Sequence, residues 1–358
     1  MTTPLSDLTE RLLDLARRAG ADQADAIAID GTSVSIDVRG GALEHAERAE
    51  GVDVGLRVLV GQRQACVSSS DTKLETLIQM VDRAIAMAKE APDDPHAGLA
   101  DTAQLAHMTD NSALELFDPS TEPDPAELQE QAARAEAAAL ENKDISQVQS
   151  ASAGYSSSRI HMSASHGFSA GYARTNRGLS CVAISGTGAQ MERDYEYDSR
   201  IFQADLRDAA EIGRVAARRA VERAGARKPK TGAYPVLFDE RIASGLIGHL
   251  LQATNGAAIA RGSSWLRDAR GEQVLPKGLS IIEDPHRVRT SSSRMFDAEG
   301  LPTARRAIVD DGVLTGWTLD LANARKLGMQ STANAVRGTS APPQPSLSNI
   351  ALTQGHAS

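Results

Sequence analysis

Aromatic side chains are scarce in this chain: five Tyr, five Phe and two Trp among 358 residues. A core without rings must be built from Ala, Val, Leu and Ile, which favours close helix-to-sheet contact and argues against a surface of stacked rings for bases or sugars. Positive charge is also in deficit, with a formal net charge of −9. Such a chain repels phosphate backbones and anionic lipid headgroups, so nucleic-acid and membrane-surface roles are disfavoured. Cys66 and Cys181 are the only cysteines and form no C-x-x-C pattern, which excludes a disulfide framework and a cysteine zinc cluster. No apolar run approaches the roughly 20 residues that span a bilayer. The opening "MTTPLSDLTERLLDLARRAG" mixes acids and arginines where a secretion signal needs an unbroken apolar stretch, so a soluble cytoplasmic protein is expected.

What is present reads as alternating helices and strands. Leu8, Leu12, Leu15 and Ala19 recur on one face of a first helix, with Ser6 as the expected cap and Gly20 as the stop. "SVSIDVRGG" and "GVDVGLRVLVGQRQACVSSS" read as strands, with Gly61-Gln62 at a turn, and a helix is predicted from about Thr72 to Glu90. Pro92, Pro95, Pro119 and Pro123 make 91–124 a loop-rich connection. Asp124 caps the next helix, with Pro125 at its first position. Short alternating segments from Ile145 to about Gln203 predict an antiparallel meander, and "LRDAAEIGRVAARRAVERAG" a further helix. Helix, strands, helix thus occurs twice.

The fold class expected is α/β (α+β). An N-terminal domain spans 1–226 in two halves, about 1–108 and 109–226, and a β-rich C-terminal domain of mixed structure spans 232–358. Between them "ARKPKTGAYPVLFDE" reads as a basic linker running into a strand. In the C-terminal part, "GLIGHLLQATNGAAIARGSSWL" at 245–266 reads as a helix ending in a glycine-marked turn, and "IVDDGVLTGWTL" as a hairpin turning at Asp311-Gly312.

Chemistry is hard to find in the residues alone. Of eight histidines, no two share a helix face with an acid between them, as a helical metalloprotease site requires. His161 and His166 lie five apart in a strand region, where odd spacing sends them to opposite faces. Glu283-Asp284 and Asp297/Glu299 are the acids nearest a two-carboxylate pattern, but turn and strand-end roles outweigh it. "TSSSR" at 290–294 lacks the glycines of a nucleophile elbow, and neither "GTGAQ" nor "GTSAPP" is a phosphate loop. Arg214, Arg218, Arg219 and Arg223 are expected to form a solvated helix face.

The order of segments says more than any one of them. "GVDVGLRVLVGQR", "GLIGHLLQATNGAAIARGSSWL", "IIEDPHRV", "FDAEGLPTARRAIVDDGVLTGWTLDLANARKLG" and "PSLSNIAL" together resemble the PmbA/TldE branch of the TldD/PmbA family, over nearly the whole chain. The resemblance implies a cytoplasmic partner of TldD in a heterodimeric zinc metalloprotease acting on peptides or unfolded segments, linked to microcin maturation and antitoxin degradation. In the catalytic TldD branch the 245–266 helix carries H-E-x-x-x-H; aligned on Arg261-Gly262-Ser263, those positions here are Ile247, Gly248 and Gln252. No imidazole pair and no general base remain. The resemblance therefore implies no catalytic residue, metal or cofactor in this chain, with zinc in the TldD-like partner.

Met295, Phe296, Asp297, Glu299 and Gly300 are the candidates for a surface near the peptide chamber. Family members continue beyond "SNIAL", so the C-terminal domain is expected to lack its last segment, leaving sheet edges open to self-association. Two rival functions stand beside the partner subunit: an independent hydrolase using His249 or His286 with Glu283 or Asp284, and a non-enzymatic peptide-binding homodimer.

Overall fold

A computed structural model of the chain describes residues 3–354. The first half opens with α1 (Leu5–Arg18), followed by β1 (Gln23–Arg39), β2 (Ala42–Val60), β3 (Arg63–Ser69) and α2 (Leu74–Glu90). The second repeats the order with α3 (Pro125–Leu140), β4 (Ile145–Ala164), β5 (Ser169–Ser185), β6 (Glu192–Arg200) and α4 (Ala209–Glu222). The fold is the mixed α/β arrangement expected. What the sequence did not reveal is that both halves share one six-stranded antiparallel sheet, ordered β3-β2-β1-β4-β5-β6. They join through their first strands, from Asp25 opposite Ala164 to Val38 opposite Ala151.

The strands are longer than the expected segments: β1 begins at Gln23 rather than Ser33, and β2 at Ala42 rather than Gly51. Between them Gly40 and Gly41 turn the chain with φ of 63° and 73°, and the buried Glu136 of α3 accepts both of their N–H groups at 2.6 and 2.8 Å. The Gly61 turn between β2 and β3 is as read, with φ 60°. Ser6 does not cap α1: the helix starts at Leu5 with Pro4 before it, and Ser6 lies inside the first turn. Asp124 does cap α3, accepting from the Ala126 N–H at 2.8 Å.

Alternation along β1 assigns the two sheet faces. Ala24, Ala26 and Ala28 pack with Leu8, Leu12, Leu77 and Val81 of α1 and α2. Val34, Ile36 and Val38 share their parity and pack with Leu128 and Ala132 of α3 and Ile212 and Ala216 of α4. All four helices of the two halves therefore cover one face. Small residues permit the closeness: a Cβ on Gly213 of α4 would run into the Ala135 carbonyl of α3. The arginines of α4 are a correction, because they are not simply a solvated face. Arg219 contacts Glu196, and Arg223 reaches Asp194 at 3.4 Å, both acids being buried on the helix side of edge strand β6.

The C-terminal part holds α5 (Glu240–Ala253), α6 (Gly256–Ala260), β7 (Ile281–Glu283), β8 (Arg306–Asp310), β9 (Val313–Leu314), α7 (Leu321–Lys326), β10 (Ala335–Val336), β11 (Gln344–Pro345) and β12 (Ile350–Leu352). Four of these strands form a sheet in the order β12-β7-β8-β9, and β10 pairs with β11. Asp311 and Gly312 make the β8–β9 turn with φ of 46° and 85°, as the sequence indicates. The strand expected after the linker is absent: Tyr234–Asp239 has no ladder partner, and Leu237 is 98% exposed. This part packs on the opposite sheet face, where Phe296 meets Phe168 and Tyr172 edge-on at 5.3 and 5.8 Å.

Candidate functional site

The helix at the centre of the sequence argument is α5. Its first turn is held by Asp239, which accepts the Arg241 N–H at 3.0 Å, and the Arg241 side chain reaches Asp194 of β6 at 2.8 Å. The turn after it is fixed by Asn255, whose side chain accepts from Ala257 N and donates to the Pro345 carbonyl at 2.9 Å. Ile247 is half-buried against the C-terminal core of Leu250, Ile259 and Ile281. Gly248 faces open space, since an added Cβ would meet nothing within 4 Å. His249 and Gln252 are exposed. A hydrocarbon, a missing side chain and a neutral amide do not make a zinc site, and among the described residues no group of three His, Cys, Asp or Glu is placed to hold a metal ion.

The candidates at 295–300 form a buried turn at the junction with the N-terminal sheet. Phe296, Asp297 and Glu299 are buried and Met295 is half-buried. The Asp297 carboxylate accepts N–H groups from Glu299, Leu301 and Ala335 at 2.9 to 3.0 Å, tying the turn to β10. Gly300 has φ 81°, and a Cβ there would strike the Phe168 ring. Glu299 accepts the Leu321 N–H at 2.8 Å, anchoring α7. Burial pushes the Asp297 carboxyl up to about 6 against its hydrogen bonds. Burial, joined by the Asp297 charge, pushes Glu299 up to about 8 against the pull of Arg57.

Beside this turn lie charged residues that the motif reading missed. Arg57 of β2 is buried and donates to Asp25 of β1 through Nε at 2.6 Å, and Arg337 contacts the other oxygen of the same carboxylate. Only one signal was available in the sequence, the arginine interrupting the apolar run "VGLRVLV". Asp25 and Arg337 carry none, because 312 positions separate them along the chain.

The proposed hydrolytic pairs are not assembled. Glu283 is 2% exposed, and its carboxylate is occupied by Arg306 Nε (2.8 Å), Asn334 Nδ2 (2.8 Å), Ser348 N (2.7 Å) and Ser348 Oγ (3.0 Å). Asp284 accepts the His286 backbone N–H at 3.0 Å, while the His286 ring lies 3.1 Å from Thr303 Oγ1. Elsewhere, His161 on β4 sits 2.9 Å from Thr9 Oγ1, whereas His166 lies in the turn after β4 and not on a strand.

Comparison with known proteins gives a consistent result. Three family profiles match in succession: PmbA/TldA metallopeptidase domain 1 at 24–88, the central domain at 118–224 and the C-terminal domain at 231–358. Metalloprotease PmbA of Escherichia coli O157:H7 is 36% identical over 332 residues, covering 92% of this chain and 73% of that protein. The Metalloprotease PmbA homolog of Haemophilus influenzae is 34% identical over 90% of this chain and 71% of its own length. Among solved structures, a putative modulator of DNA gyrase from Bacteroides thetaiotaomicron superposes with TM-score 0.89 at 25% identity, over 98% of this chain and 77% of that one. TldE from Thermococcus kodakarensis, at 19% identity, shares the fold with TM-score 0.78 over 98% and 78%.

Proposed function

The chain belongs to the PmbA/TldD metallopeptidase family, and from that membership we propose that it is the non-catalytic, TldE-like subunit of a cytoplasmic heterodimeric peptidase. In this reading a TldD-like partner carries the zinc and the catalytic acid, and this chain helps to enclose the chamber in which extended peptides are cut. The carrying observation is α5: the positions aligned with H-E-x-x-x-H are a half-buried Ile247, an unsubstituted Gly248 and an exposed Gln252. The occupied carboxylate of Glu283 weighs against an independent hydrolase. That no described helix is long and apolar enough to cross a membrane is compatible with the compartment proposed.

Extended substrates suit the sheet. Away from Phe296 the face opposite the helices carries Ser33 and Ser35, both exposed, opposite Ser156 and Gly154 of β4, so at these positions of the two central strands the side chains are short and the backbone is approachable. The turn at Met295–Gly300 lies under such a chamber as a buried support rather than as a contact surface, since Phe296, Asp297 and Glu299 are closed off from solvent. The test is zinc content and peptide hydrolysis for the purified chain alone and after mixing with a TldD-like partner. Hydrolysis and zinc in the mixture only are expected. Stoichiometric zinc or hydrolysis in the isolated chain would overturn the assignment, and stable self-association without response to the partner would favour the homodimer.

A further inference from the structure

Between the six-stranded sheet and the C-terminal part lies a small, partly open cavity, whose lining includes Asp25, Arg57, His166, Glu299 and Arg337. It leaves about 20 Å³ for the centre of a water-sized group, enough for one water molecule or one monatomic ion. The Arg337 side chain is 2% exposed, and its Nη2 is buried without a hydrogen-bond partner. His166 Nε2 is likewise buried and unpartnered. The Phe168 N–H points to His166 Nδ1 at 3.4 Å, making Nδ1 the acceptor and leaving the ring proton on Nε2. Two unanswered donors therefore line a space with room for one small group, and Asp25 Oδ1, on the same lining, is met only by the Arg337 ion pair. The charge around it is uneven, with two guanidinium groups lining the cavity and both turned to the single carboxylate of Asp25.

We propose that this cavity binds one chloride-sized anion, held by Arg337 Nη2 and His166 Nε2. A halide accepts from both donors and offsets the second guanidinium, whereas a water molecule supplies no charge.

Glu299 makes the site proton-linked. Its carboxyl is pushed up to about 8 by burial and by the charge on Asp297, with Asp320 adding to the rise and Arg57 opposing it. Asp297 and Asp320 do not line the cavity, and their charges are answered by Glu299, Leu301 and Ala335 N–H groups and by Asn323 respectively. Half-buried Arg294 faces Asp297, and Cys66, beside Arg57, is neutral because burial pushes its thiol up to about 11. His166 is held below its ordinary value by burial and by Arg57, and so is uncharged. With Glu299 protonated, the lining carries a net positive charge. Ionisation of Glu299 cancels it, so affinity for the anion falls as pH rises through about 8.

The experiment is thermal unfolding of the full chain in sodium bromide against sodium gluconate at equal ionic strength, at about pH 7 and about pH 9, with bromide anomalous scattering from crystals. A saturable rise in Tm of about 2 °C in bromide near pH 7, shrinking near pH 9, is expected, with an anomalous peak between Arg337 and His166. R337Q should abolish the rise, and E299Q should retain it at the higher pH. Equal midpoints in the two salts, a cavity holding water only, or an undiminished bromide effect in R337Q would overturn the proposal. If R337Q does not fold, E299Q decides: retention of the rise near pH 9 supports the site, and its loss there refutes it.

Discussion

Glu283 separates a structural carboxylate from a catalytic one. Replacing it by Ala leaves the Arg306 guanidinium, whose side chain is 19% exposed, with only the Trp317 carbonyl and Thr318 Oγ1 as partners. It also strands the Ser348 N–H, which holds the chain before β12 to β7, and leaves the Asn334 amide with only the Ser346 carbonyl. Breaking a buried ion pair from one side costs roughly 3–5 kcal/mol, because the surviving charge stays buried. The lost neutral donors fall partly within that figure, since bonds to one carboxylate are not additive. Against a typical total stability of about 5–15 kcal/mol, E283A should therefore lie near the limit of folding. E283Q keeps the shape and one acceptor but loses the charge, and should cost about 2 kcal/mol. Urea unfolding gives both values as shifts in midpoint at constant slope. R306M should recover part of the E283A loss, because the double variant buries no unpaired charge, so the cycle should show a coupling of about 1–3 kcal/mol. Loss of partner-supported hydrolysis in E283Q with a midpoint shift below about 0.5 kcal/mol would refute this account and return Glu283 to the catalytic candidates.

Glycines supply a matched contrast. G248A adds a Cβ in open space within α5 and should stabilise by about 0.5–1 kcal/mol, while G213A forces apart α3 and α4 at the Ala135 carbonyl and should cost about 1–3 kcal/mol; equal effects in calorimetry would refute the packing argument. At Gly55 a side chain would collide with the Thr339 backbone, so G55A should loosen the C-terminal segment from β2, read as faster amide exchange around Thr339. The raised Glu299 carboxyl stabilises fully below its unfolded value of about 4.3, and that contribution is lost as pH rises through about 8. E299Q should accordingly flatten the decline in urea midpoint over that window, and an unchanged decline would refute the assignment. Burial pushes the thiols of Cys66 and Cys181 up to about 11 and about 12, so thiol reagents should label neither rapidly in the folded protein at neutral pH.

Local signals were legible where one residue has one physical job. Asp124-Pro125 starts α3 because a carboxylate can accept an orphan N–H and proline lacks one to satisfy. Asp311-Gly312 turns β8 into β9 because both positions need positive φ. Ser6 misled because a serine near a helix start looks like a cap wherever it stands, and Pro4 had already set the boundary. The starts of β1 and β2 were missed because "ADAIAID" and "ALEHAERAE" do not show the simple alternation of a half-buried strand.

The sequence by itself determined the alternation of helices and strands, the family segments and the residues standing at Ile247, Gly248 and Gln252, because these are properties of neighbours along the chain. Only the tertiary structure decided that two halves share one sheet, that Glu283 is saturated and that Phe296, Asp297 and Glu299 are buried in a turn. It alone also gathers Asp25, Arg57, His166, Glu299 and Arg337 around one cavity. Those facts depend on long-range pairing, where burial and desolvation act on groups that no local pattern connects.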